Sequence, residues 1–293
     1  MKYNQSIISP LDMSGPDGFE REFEFNARDF GEIKKLIYER AGISLSDSKQ
    51  SLVYGRLGRR LRALAMSTFS EYLAYLLSHE DEWQSFINAL TTNLTSFFRE
   101  PHHFPILADH VKKLGRGKQI SLWCSAASTG EEPYSMAMSM VELFDSYRPP
   151  VQIVATDIDT RVLETAQRGV YSIDRIEKMS PVQAKRFFLK GKGGNEGMVK
   201  VRQELIDMIT FRQLNLLDNV WPVRGPLDAI FCRNVMIYFD KITQKKILDR
   251  FVPLMAPHAL LFAGHSESFV QLTDAFSLRG KTVYELKSAE PKK

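Results

Sequence analysis

The sequence predicts two parts: an N-terminal helical bundle, and a doubly wound, Rossmann-like α/β domain with a small inserted antiparallel β subdomain. From Asn26 to about Asn93, apolar residues recur at helical spacing. After Pro101, short apolar strand-like runs alternate with amphipathic helices. A Gly-rich interval between Val170 and Asp218 interrupts this alternation. We expect these bounds: a tail at 1–20, a helical domain at 21–93, a link at 94–100, an α/β domain at 101–287 and a tail at 288–293.

The N-terminal part contains four segments with an apolar stripe at helical spacing. In "DFGEIKKLIYERAG" the stripe consists of Phe30, Ile33, Leu36 and Ile37. Gly42 follows this segment as a stop signal. In "SKQSLVYGRLGRRLRALA" the stripe consists of Val53, Leu57, Leu61 and Leu64. "FSEYLAYLL" and "EDEWQSFINALTTN" supply two more helices, so a small helical bundle is predicted.

The C-terminal part reads as alternating strands and helices. The strand-like runs are "QISLWC", "VQIVATD", "LDAIFC" and "ALLFAG", and helices are predicted over 131–145, 160–168 and 242–255. This alternation favours a parallel sheet with right-handed crossovers. Within the Gly-rich interval, the runs 198–204 and 208–214 are expected to pair antiparallel, which places a β insertion at about 175–212.

Composition narrows the class of protein. The chain has 293 residues, 44% of them hydrophobic, with a net charge of +4, so it is not the polycation expected of a general nucleic-acid binder. No apolar run has the length of a signal peptide or a membrane span. Cys124 and Cys232 each close a strand-like run, which favours buried thiols in a reducing compartment over a disulfide or a nucleophile. A cytoplasmic monomer without membrane insertion is expected.

The loop "CSAASTGEE" after the first strand indicates what kind of ligand the sheet binds. It lacks the Gly-Lys-Ser/Thr of a Walker loop and matches G-x-G-x-x-G poorly. Glu131 and Glu132 lie where a helix N-terminus would otherwise receive phosphate, and they repel an anion. The ligand is therefore expected to carry a positive group at this end. Ordinary first-turn helix acids remain the alternative.

The second strand ends in an acid of the kind that binds ribose. Asp157 occupies the position from which a carboxylate accepts both ribose hydroxyls, and Asp159 is expected to cap the next helix. A ribose-binding acid beside a loop that repels phosphate points away from NAD and ATP. It points to a nucleoside with a cationic amino-acid tail, S-adenosylmethionine (SAM).

Six motifs, in this order, resemble the chemotaxis receptor methyltransferases, the CheR family. They are "NLTSFFREPHHF", "CSAASTGEEPYS", "ATDID", "FRQLNLLD", "IFCRNVMIYFD" and "LLFAGHSES", and the resemblance covers about residues 20 to 287. It implies methyl transfer from SAM to glutamate side chains on the cytoplasmic helices of chemoreceptors. The products are glutamyl methyl esters and S-adenosylhomocysteine.

The resemblance also implies roles for individual residues. Those expected to bind the cofactor are Asn93, Thr95, Arg99, Glu131, Asp157, Asn215, Leu216, Arg233 and Asn234. Among them, Glu131 would hold the methionine ammonium and Asp157 the ribose. Arg99 and Tyr238 would steer the substrate carboxylate as catalytic residues. A surface salt bridge for Arg99 and core packing for Tyr238 are the alternatives.

Two further sets of residues are expected to recognise the receptor. On the second helix, away from its apolar stripe, lie Arg56, Arg59, Arg60 and Arg62, which would contact the acidic methylation region. In "GKGGNEG", Gly191, Gly193 and Gly194 would shape a turn that leaves a strand edge for the receptor's C-terminal pentapeptide. A solvated basic face and a structural hairpin are the alternatives.

Other chemistries find less support in the sequence. His102 and His103 are adjacent, which does not suit a zinc site, so no metal is expected and both are taken as surface residues at a helix start. His265 follows a strand and carries no assignment. A small-molecule or RNA methyltransferase and a SAM-sensing signalling adaptor without catalysis are the rival functions.

Overall fold

The computed structural model describes residues 22–115 and 117–287. Both expected tails, 1–20 and 288–293, lie outside these residues. The chain divides into two compact units, one formed by residues 22–36 and 46–90, the other by residues 37–45 and 91–287. The first unit is helical, and the second is built on a large sheet.

The helical unit contains the four predicted helices. They are α1 (Ala27–Ala41), α2 (Gln50–Ala63), α3 (Phe69–Ser78) and α4 (Glu82–Leu90), and the C-terminal end of α1 falls in the second unit. The predicted stripe of α1 is buried, and so are Val53, Leu57 and Leu61 of α2, whereas Leu64 is half-buried. Gly42 follows α1 with a φ of +70°, as a stop signal requires.

The second unit contains the remaining helices and strands. The helices are α5 (His103–Lys113), α6 (Glu131–Phe144), α7 (Thr160–Arg168), α8 (Pro181–Phe187), α9 (Gln203–Ile206) and α10 (Lys241–Phe251). The strands are β1 (Ile120–Cys124), β2 (Val151–Asp157), β3 (Val170–Ser172), β4 (Phe188–Lys190), β5 (Met198–Val201), β6 (Ile209–Gln213), β7 (Leu227–Cys232), β8 (Met255–Ala263), β9 (Phe276–Gly280) and β10 (Val283–Leu286).

Seven strands form the main sheet in the order β6-β2-β1-β7-β8-β10-β9. The first five of these run parallel, and β10 pairs antiparallel with both β8 and β9. After β1, the strands β2 and β6 are added on one side of β1. The chain then crosses to the other side of β1, where β7 and the following strands are added. The strand order therefore reverses between β1 and β7, and a ligand site is expected beyond the carboxyl ends of these strands.

Both faces of the main sheet are buried. Leu122 and Cys124 belong to one hydrophobic cluster, while Trp123 between them belongs to the other. Neighbouring β7 alternates in the same way, with Phe231 in the first cluster and Ile230 in the second. This alternation explains the nearly continuous apolar runs of the predicted strands. The doubly wound α/β prediction is confirmed.

The predicted pairing within the Gly-rich interval was wrong. The three-stranded small sheet has the order β3-β5-β4, and β5 pairs antiparallel with both neighbours. The run at 208–214 forms β6, which pairs parallel with β2 at the edge of the main sheet. Periodicity alone does not show which partner an apolar run will take, so two runs close in sequence were taken for a hairpin.

One helix boundary also differs from the prediction. The helix expected over 242–255 ends at Phe251, and Val252–Leu254 forms a 3₁₀ turn before β8 begins at Met255. Pro253 cannot donate the backbone hydrogen bond that a continued α-helix needs. Among the described residues, no helix is both long enough and apolar enough to span a membrane.

Candidate active site

The loop after β1 is shaped by Gly130, which precedes α6. Gly130 has a φ of +100°, and a Cβ atom there would lie 2.8 Å from the Cβ of Ala166 and 2.8 Å from the hydroxyl of Tyr171. Glycine fits both this backbone conformation and the space. The turn into α6 and its contact with α7 thus require the glycine.

The carboxylate of Asp157, at the end of β2, holds this loop in place. Its Oδ2 accepts a hydrogen bond of 2.8 Å from the N–H of Ser128, and its Oδ1 accepts one of 3.0 Å from the N–H of Asp159. Burial raises the pKa of Asp157 to about 6, although these hydrogen bonds act in the opposite direction. Each oxygen has a second lone pair, so the carboxylate can also accept ligand hydroxyls.

Residues 91–93 contact the loops that follow β1 and β2. Thr91 Oγ1 and Asn93 Nδ2 donate to Oδ2 of Asp159 at 2.8 and 2.9 Å, and the Ser128 hydroxyl donates to the carbonyl of Asn93 at 3.0 Å. Asp159 also caps α7 by accepting from the N–H of Arg161, so the predicted cap is confirmed. Asn93 is therefore fixed beside the β1 loop.

Glu131 is a buried carboxylate with two side-chain partners. It is the first residue of α6 and has no exposed surface. The hydroxyl of Thr129 donates to it at 2.6 Å, and the guanidinium of Arg175 forms a short ion pair with its other oxygen. Arg175 also donates to the carbonyl oxygen of Thr95 at 3.1 Å. Arg175 thus joins Glu131 and Thr95, two of the predicted cofactor-binding residues.

Arg233, immediately after β7, forms a buried charge network. Its Nη1 lies 2.5 Å from Glu132 Oε2, and its Nη2 lies 3.2 Å from Glu100 Oε2. Nη2 also donates to the backbone carbonyl of Arg99 at 2.5 Å. The guanidinium therefore links α6 and the end of β7 to the segment that carries Arg99. The role of Arg233 in completing the cofactor pocket stays a prediction, and the contacts described here are internal.

The backbone around Arg99 is strained and held at several points. Phe98 and Glu100 have φ values of +51° and +52°, in a region that residues other than glycine rarely occupy. The N–H of Phe98 donates to Ser135 Oγ at 2.9 Å, and the N–H of His265 donates to Glu100 Oε1 at 3.2 Å. Together with Arg233, these contacts compensate for the unfavourable conformations and hold the backbone of Arg99 in place.

Burial raises the pKa of Glu100, but the Arg233 charge and the hydrogen bonds from His265 outweigh it and lower the pKa to about 2. Glu100 is therefore ionised throughout the physiological range. Glu100 therefore offers the Arg233 guanidinium a negatively charged partner near neutral pH.

A third carboxylate, Glu267, joins the loops that follow β7 and β8. It accepts hydrogen bonds from the backbone N–H groups of Asn234, Met236 and Gly264 at 2.9, 2.8 and 2.6 Å. Burial raises its pKa, and the three backbone bonds act in the opposite direction. A Cβ atom at Gly264 would lie 2.4 Å from the side-chain nitrogen of Asn234, which shows how closely the two loops pack.

The two predicted catalytic side chains lie against one short segment. Nη1 of Arg99 donates to the carbonyl oxygen of Leu94 at 2.9 Å, and the hydroxyl of Tyr238 donates to the carbonyl oxygen of Thr92 at 3.4 Å. Both side chains are half-buried. The structure therefore brings Arg99 and Tyr238 to residues 92–94, next to Asn93.

The loop after β6 carries Asn215 and Leu216. The side-chain amide of Asn215 donates to the carbonyl oxygen of Arg40 at 2.8 Å, while Leu216 is buried. A cleft of about 640 Å³ opens here, lined in part by Leu216, Tyr38 and Arg250. Of the two residues predicted to flank adenine, Leu216 thus lines this cleft.

Comparison with known families identifies the chain. Residues 93–285 match the SAM-binding domain of the CheR methyltransferases, and residues 28–91 match their all-alpha domain. This chain belongs to the CheR methyltransferase family. It is a SAM-dependent methyltransferase that acts in chemotaxis, and the predicted family, cofactor and fold class are confirmed.

Alignments with known relatives cover most of the chain. Chemotaxis protein methyltransferase 2 of Pseudomonas aeruginosa is 51% identical over 276 residues, which are 94% of this chain and 99% of the relative. The chemotaxis protein methyltransferases of Salmonella typhimurium and Escherichia coli are each 54% identical over 259 residues. That alignment covers 88% of this chain and 89% and 90% of the two relatives.

The side chains at this CheR site fit SAM. Buried carboxylates at Glu131 and Asp157 suit a cationic ammonium and ribose hydroxyls, respectively. A ligand with phosphate at the start of α6 would instead meet the negative charge of Glu131 in a desolvated setting. The residue-level contacts stay predictions, and the chemistry of the described donors agrees with them.

The histidines near Glu100 differ from the expectation for surface residues. His103 has no exposed surface, because its Nε2 bonds to the carbonyl oxygen of Lys281 at 2.8 Å and its ring packs on Phe262. Burial lowers the pKa of His103 to about 4, so the ring is neutral. The surface assignment was therefore wrong for His103, whereas His102 is half-buried.

These histidines also raise the question of a metal site. Glu100, His102 and His103 place one potential ligand atom each within 4.8 Å of one another. The Arg233 guanidinium, 3.2 Å from Glu100, already supplies positive charge at this place. The described side chains therefore do not favour a metal ion here.

The cysteine prediction is confirmed. Cys124 and Cys232 are buried free thiols, and burial raises the pKa of each well above its ordinary value. Cys124 donates to Oε1 of Glu132 at 3.2 Å. Both thiols are thus protonated structural groups.

The arginines of α2 have different environments. Arg60 forms a bidentate ion pair with the buried Glu82 at 2.9 and 2.6 Å, and Arg56 donates to the carbonyl oxygen of Leu90 at 3.1 Å. Arg59 and Arg62 are exposed, and Arg62 pairs with Glu22. Arg60 therefore stabilises the bundle, and the exposed part of the predicted basic face consists of Arg59 and Arg62.

The glycines of the small sheet also differ from one another. A Cβ atom at Gly191 would lie 2.0 Å from the carbonyl oxygen of Asn195, so the turn between β4 and β5 requires glycine there. Gly193 has a φ of +58°, whereas a Cβ atom at Gly194 would meet open space. Two of the three predicted glycines thus shape the turn.

Sequence reasoning missed several residues that organise the site. Glu132 was expected, together with Glu131, to repel phosphate and was given no structural partner, and neither Glu267 nor Arg175 received a role. Glu267 lies in the motif that follows β8, and Glu100 lies in the motif between α4 and α5. Their positions within these motifs could have marked both residues as candidates. No sequence signal marks Arg175, because its partner is 44 positions away.

We predict that Arg233→Met strongly destabilises the sheet unit, because it leaves Glu132 and Glu100 without their buried countercharge. Removing one partner of a buried ion pair typically costs about 3–5 kcal/mol. Amide hydrogen exchange in β1 and β7 would measure the loss in opening free energy. The double variant Glu132→Gln/Arg233→Met should recover part of it, and exposed Arg168→Ala should stay within about 0.5 kcal/mol of wild type. Unchanged protection in Arg233→Met would contradict the role given to this network.

Proposed function

We propose that this CheR methyltransferase transfers the methyl group of SAM to specific glutamate side chains on the cytoplasmic helices of chemoreceptors. The observation that carries the proposal is the rigid presentation of Arg99. Its backbone is held by Arg233 between two residues with positive φ, and its side chain lies with Tyr238 against residues 92–94. A fixed cation beside a SAM site suits an anionic acceptor.

The proposed reaction needs no general base. A glutamate side chain with an ordinary pKa of about 4.3 is ionised at neutral pH and is already a nucleophile. SAM supplies a methyl group on a sulfonium. A carboxylate oxygen forms the new bond to the methyl carbon while the bond from carbon to sulfur breaks and its electron pair remains on sulfur. The products are a glutamyl methyl ester and S-adenosylhomocysteine.

Alignment is the principal contribution of this chain to the rate. The reaction requires oxygen, carbon and sulfur in line, and positioning of this kind is worth several kcal/mol, up to about 7–11 in model reactions. The carboxylate loses its charge during the reaction, so a cation that bound it very tightly would stabilise the ground state. We therefore assign Arg99 and Tyr238 the task of orienting the carboxylate.

The rival functions make different predictions. A small-molecule or RNA methyltransferase would turn over without a receptor, and a SAM-sensing adaptor would bind SAM without transferring methyl groups. Incubation with labelled SAM and chemoreceptor membranes, followed by detection of base-labile methyl esters, separates the three.

In this assay, Arg99→Ala should reduce the rate of methyl-ester formation at least about 100-fold, because the substrate carboxylate loses its orienting cation. The dissociation constant of SAM, measured by calorimetry without receptor, reports separately on the pocket. Arg168→Ala removes an exposed charge and should retain full activity. Near-normal turnover of Arg99→Ala with intact SAM binding would refute the assignment.

We also propose that the exposed arginines of α2 contact the acidic methylation region of the receptor. Arg59 and Arg62 are the exposed members of the set, whereas Arg60 is committed to Glu82. Attraction between exposed charges weakens as salt increases. Reversing both exposed charges, in Arg59→Glu/Arg62→Glu, would then lower methylation and remove its salt dependence, while SAM binding is kept.

The small sheet supplies a second proposed contact, with the receptor's C-terminal pentapeptide. The N–H of Gly191 donates to the carbonyl oxygen of Met198, and the N–H of Arg202 donates to that of Phe187. Because bonding alternates along an antiparallel pair, the N–H of Lys190 points away from β5, toward the outer edge of β4. An extended peptide can add to such an edge. Tethering would raise the local concentration of receptor and leave the chemistry unchanged.

The tether can be tested with Lys190→Pro, which removes this outward donor. We expect calorimetry to show binding of the receptor's C-terminal pentapeptide by wild type, and at least tenfold weaker binding by the variant. Glu196→Ala, in the exposed turn of the same sheet, is the matched control. Equal binding by all three proteins would place the peptide elsewhere, and no binding by wild type would dismiss the tether.

The proposed cellular location and oligomeric state follow from these proposed contacts. A receptor substrate on the inner side of the membrane places the enzyme in the cytoplasm, recruited to receptor arrays. We propose that it acts there as a monomer, since both proposed receptor contacts and the SAM site belong to one chain.

Ribose binding by Asp157 predicts a pH dependence of SAM affinity. The pKa of this buried carboxyl is raised to about 6 in the free protein. Ribose hydroxyls need the ionised form as acceptor, so affinity should be full above this pKa and should fall by up to about tenfold per pH unit below it. Calorimetry between pH 5 and 7.5 would measure this, and Asp157→Asn should bind weakly with a flat profile. A flat profile for wild type would contradict the assignment.

A further inference from the structure

We infer that Arg175 binds the carboxylate of the methionine tail of SAM, so that Arg175 and Glu131 together form a clamp for a zwitterion. This inference rests on the proposed placement of the methionine ammonium at Glu131. It assigns a binding role to a residue outside the predicted set.

The tail of SAM carries two opposite charges next to each other. The α-ammonium finds a partner in Glu131, which is fully buried at the start of α6. The α-carboxylate of the same carbon atom then lies a few ångströms away and is drawn into the same water-poor place. A charge there without a countercharge is costly, so the site needs a cation near Glu131.

Arg175 is positioned to be that cation. Its guanidinium forms an ion pair with Oε1 of Glu131 and donates to the carbonyl oxygen of Thr95 at 3.1 Å. Its side chain is 37% exposed, whereas Glu131 is 0% exposed. The carboxylate is thus fixed in the core, while the guanidinium reaches it from the rim of the site.

The surroundings of Glu131 and Arg175 agree with a fixed carboxylate and a movable guanidinium. Glu131 is held by the Thr129 hydroxyl at 2.6 Å, and the carbonyl oxygen of Thr129 accepts from Tyr171 at 2.6 Å. Arg175 lies in the 3₁₀ turn Ile173–Ile176, which follows β3 of the small sheet. A long arginine side chain on a short turn can change its partner while Glu131 stays in place.

Binding of SAM then exchanges one ion pair for two. The ammonium takes the place of the guanidinium at Glu131, and the guanidinium moves to the α-carboxylate. A planar guanidinium suits this task, because it matches a carboxylate with two parallel hydrogen bonds. The net charge of the buried place is the same before and after, which avoids leaving an unpaired charge in either state.

The inference can be tested by binding alone, without a receptor. Three ligands dissect the tail: SAM, decarboxylated SAM, which retains the amine, and 5′-methylthioadenosine, which lacks the amino-acid tail. Calorimetry gives the dissociation constant of each with wild type, Arg175→Ala, Arg175→Lys and the charge-matched control Arg168→Ala.

If Arg175 holds the carboxylate, Arg175→Ala should lower the preference for SAM over decarboxylated SAM, the ratio of their dissociation constants, about 10- to 100-fold, the range of a charge-assisted hydrogen-bonded pair. Decarboxylated SAM should bind Arg175→Ala more tightly than wild type, because its amine no longer has to displace the guanidinium from Glu131, and binding of 5′-methylthioadenosine should change less than about threefold. The preference of wild type for SAM over decarboxylated SAM should therefore nearly disappear. Arg175→Lys should retain part of this preference, and Arg168→Ala all of it.

Two results would overturn the inference. Equal tightening of SAM and decarboxylated SAM in Arg175→Ala would show that Arg175 merely covers Glu131. Equal weakening of SAM and decarboxylated SAM would show that it acts through the position of Glu131. Receptor methylation is measured separately, so a wild-type protein with this ligand preference but no activity on receptors would refute the proposed function and leave the clamp intact.

Discussion

The arrangement of the active site depends on one buried ion pair, between Arg233 after β7 and Glu132 in α6. The strand order reverses between β1 and β7, and this pair fastens the helix after β1 to the loop after β7. The same guanidinium reaches Glu100 and the carbonyl of Arg99, so it also places a segment that is distant in sequence. Without this charge, the strained backbone at 98–100 would lose its main support.

At other strand ends, buried carboxylates also connect neighbouring loops. Asp157 fastens the β1 loop to β2, and Glu267 fastens the β7 loop to β8. Backbone N–H groups satisfy acceptor oxygens of both carboxylates, which lie at the carboxyl ends of strands where the SAM site is proposed. The contacts of Asp157 show structural anchoring, and its proposed ribose contact would assign ligand recognition to the same side chain.

Much of this could be predicted from the sequence. Periodicity located the helices and the parallel strands, since burial on one face or on both leaves a regular pattern in a single segment. The residues after the strands were found because the fold brings strand ends together. The partners of individual segments could not be predicted: β6 pairs with β2 instead of β5, and Arg175 pairs with Glu131, which is 44 positions away. Such contacts depend on packing between distant segments, as does the burial of His103.

The contact between Arg233 and Arg99 involves the backbone of residue 99 and not its side chain. Arg233 donates a hydrogen bond to the carbonyl oxygen of residue 99, a group that every amino acid carries. This hydrogen bond does not require an arginine side chain at position 99. The identity of residue 99 can therefore change during evolution or in the laboratory while its location in the site is preserved. With the proposed role of Arg99, a substitution at this one position would change acceptor preference and leave the backbone, which Arg233 holds, in place.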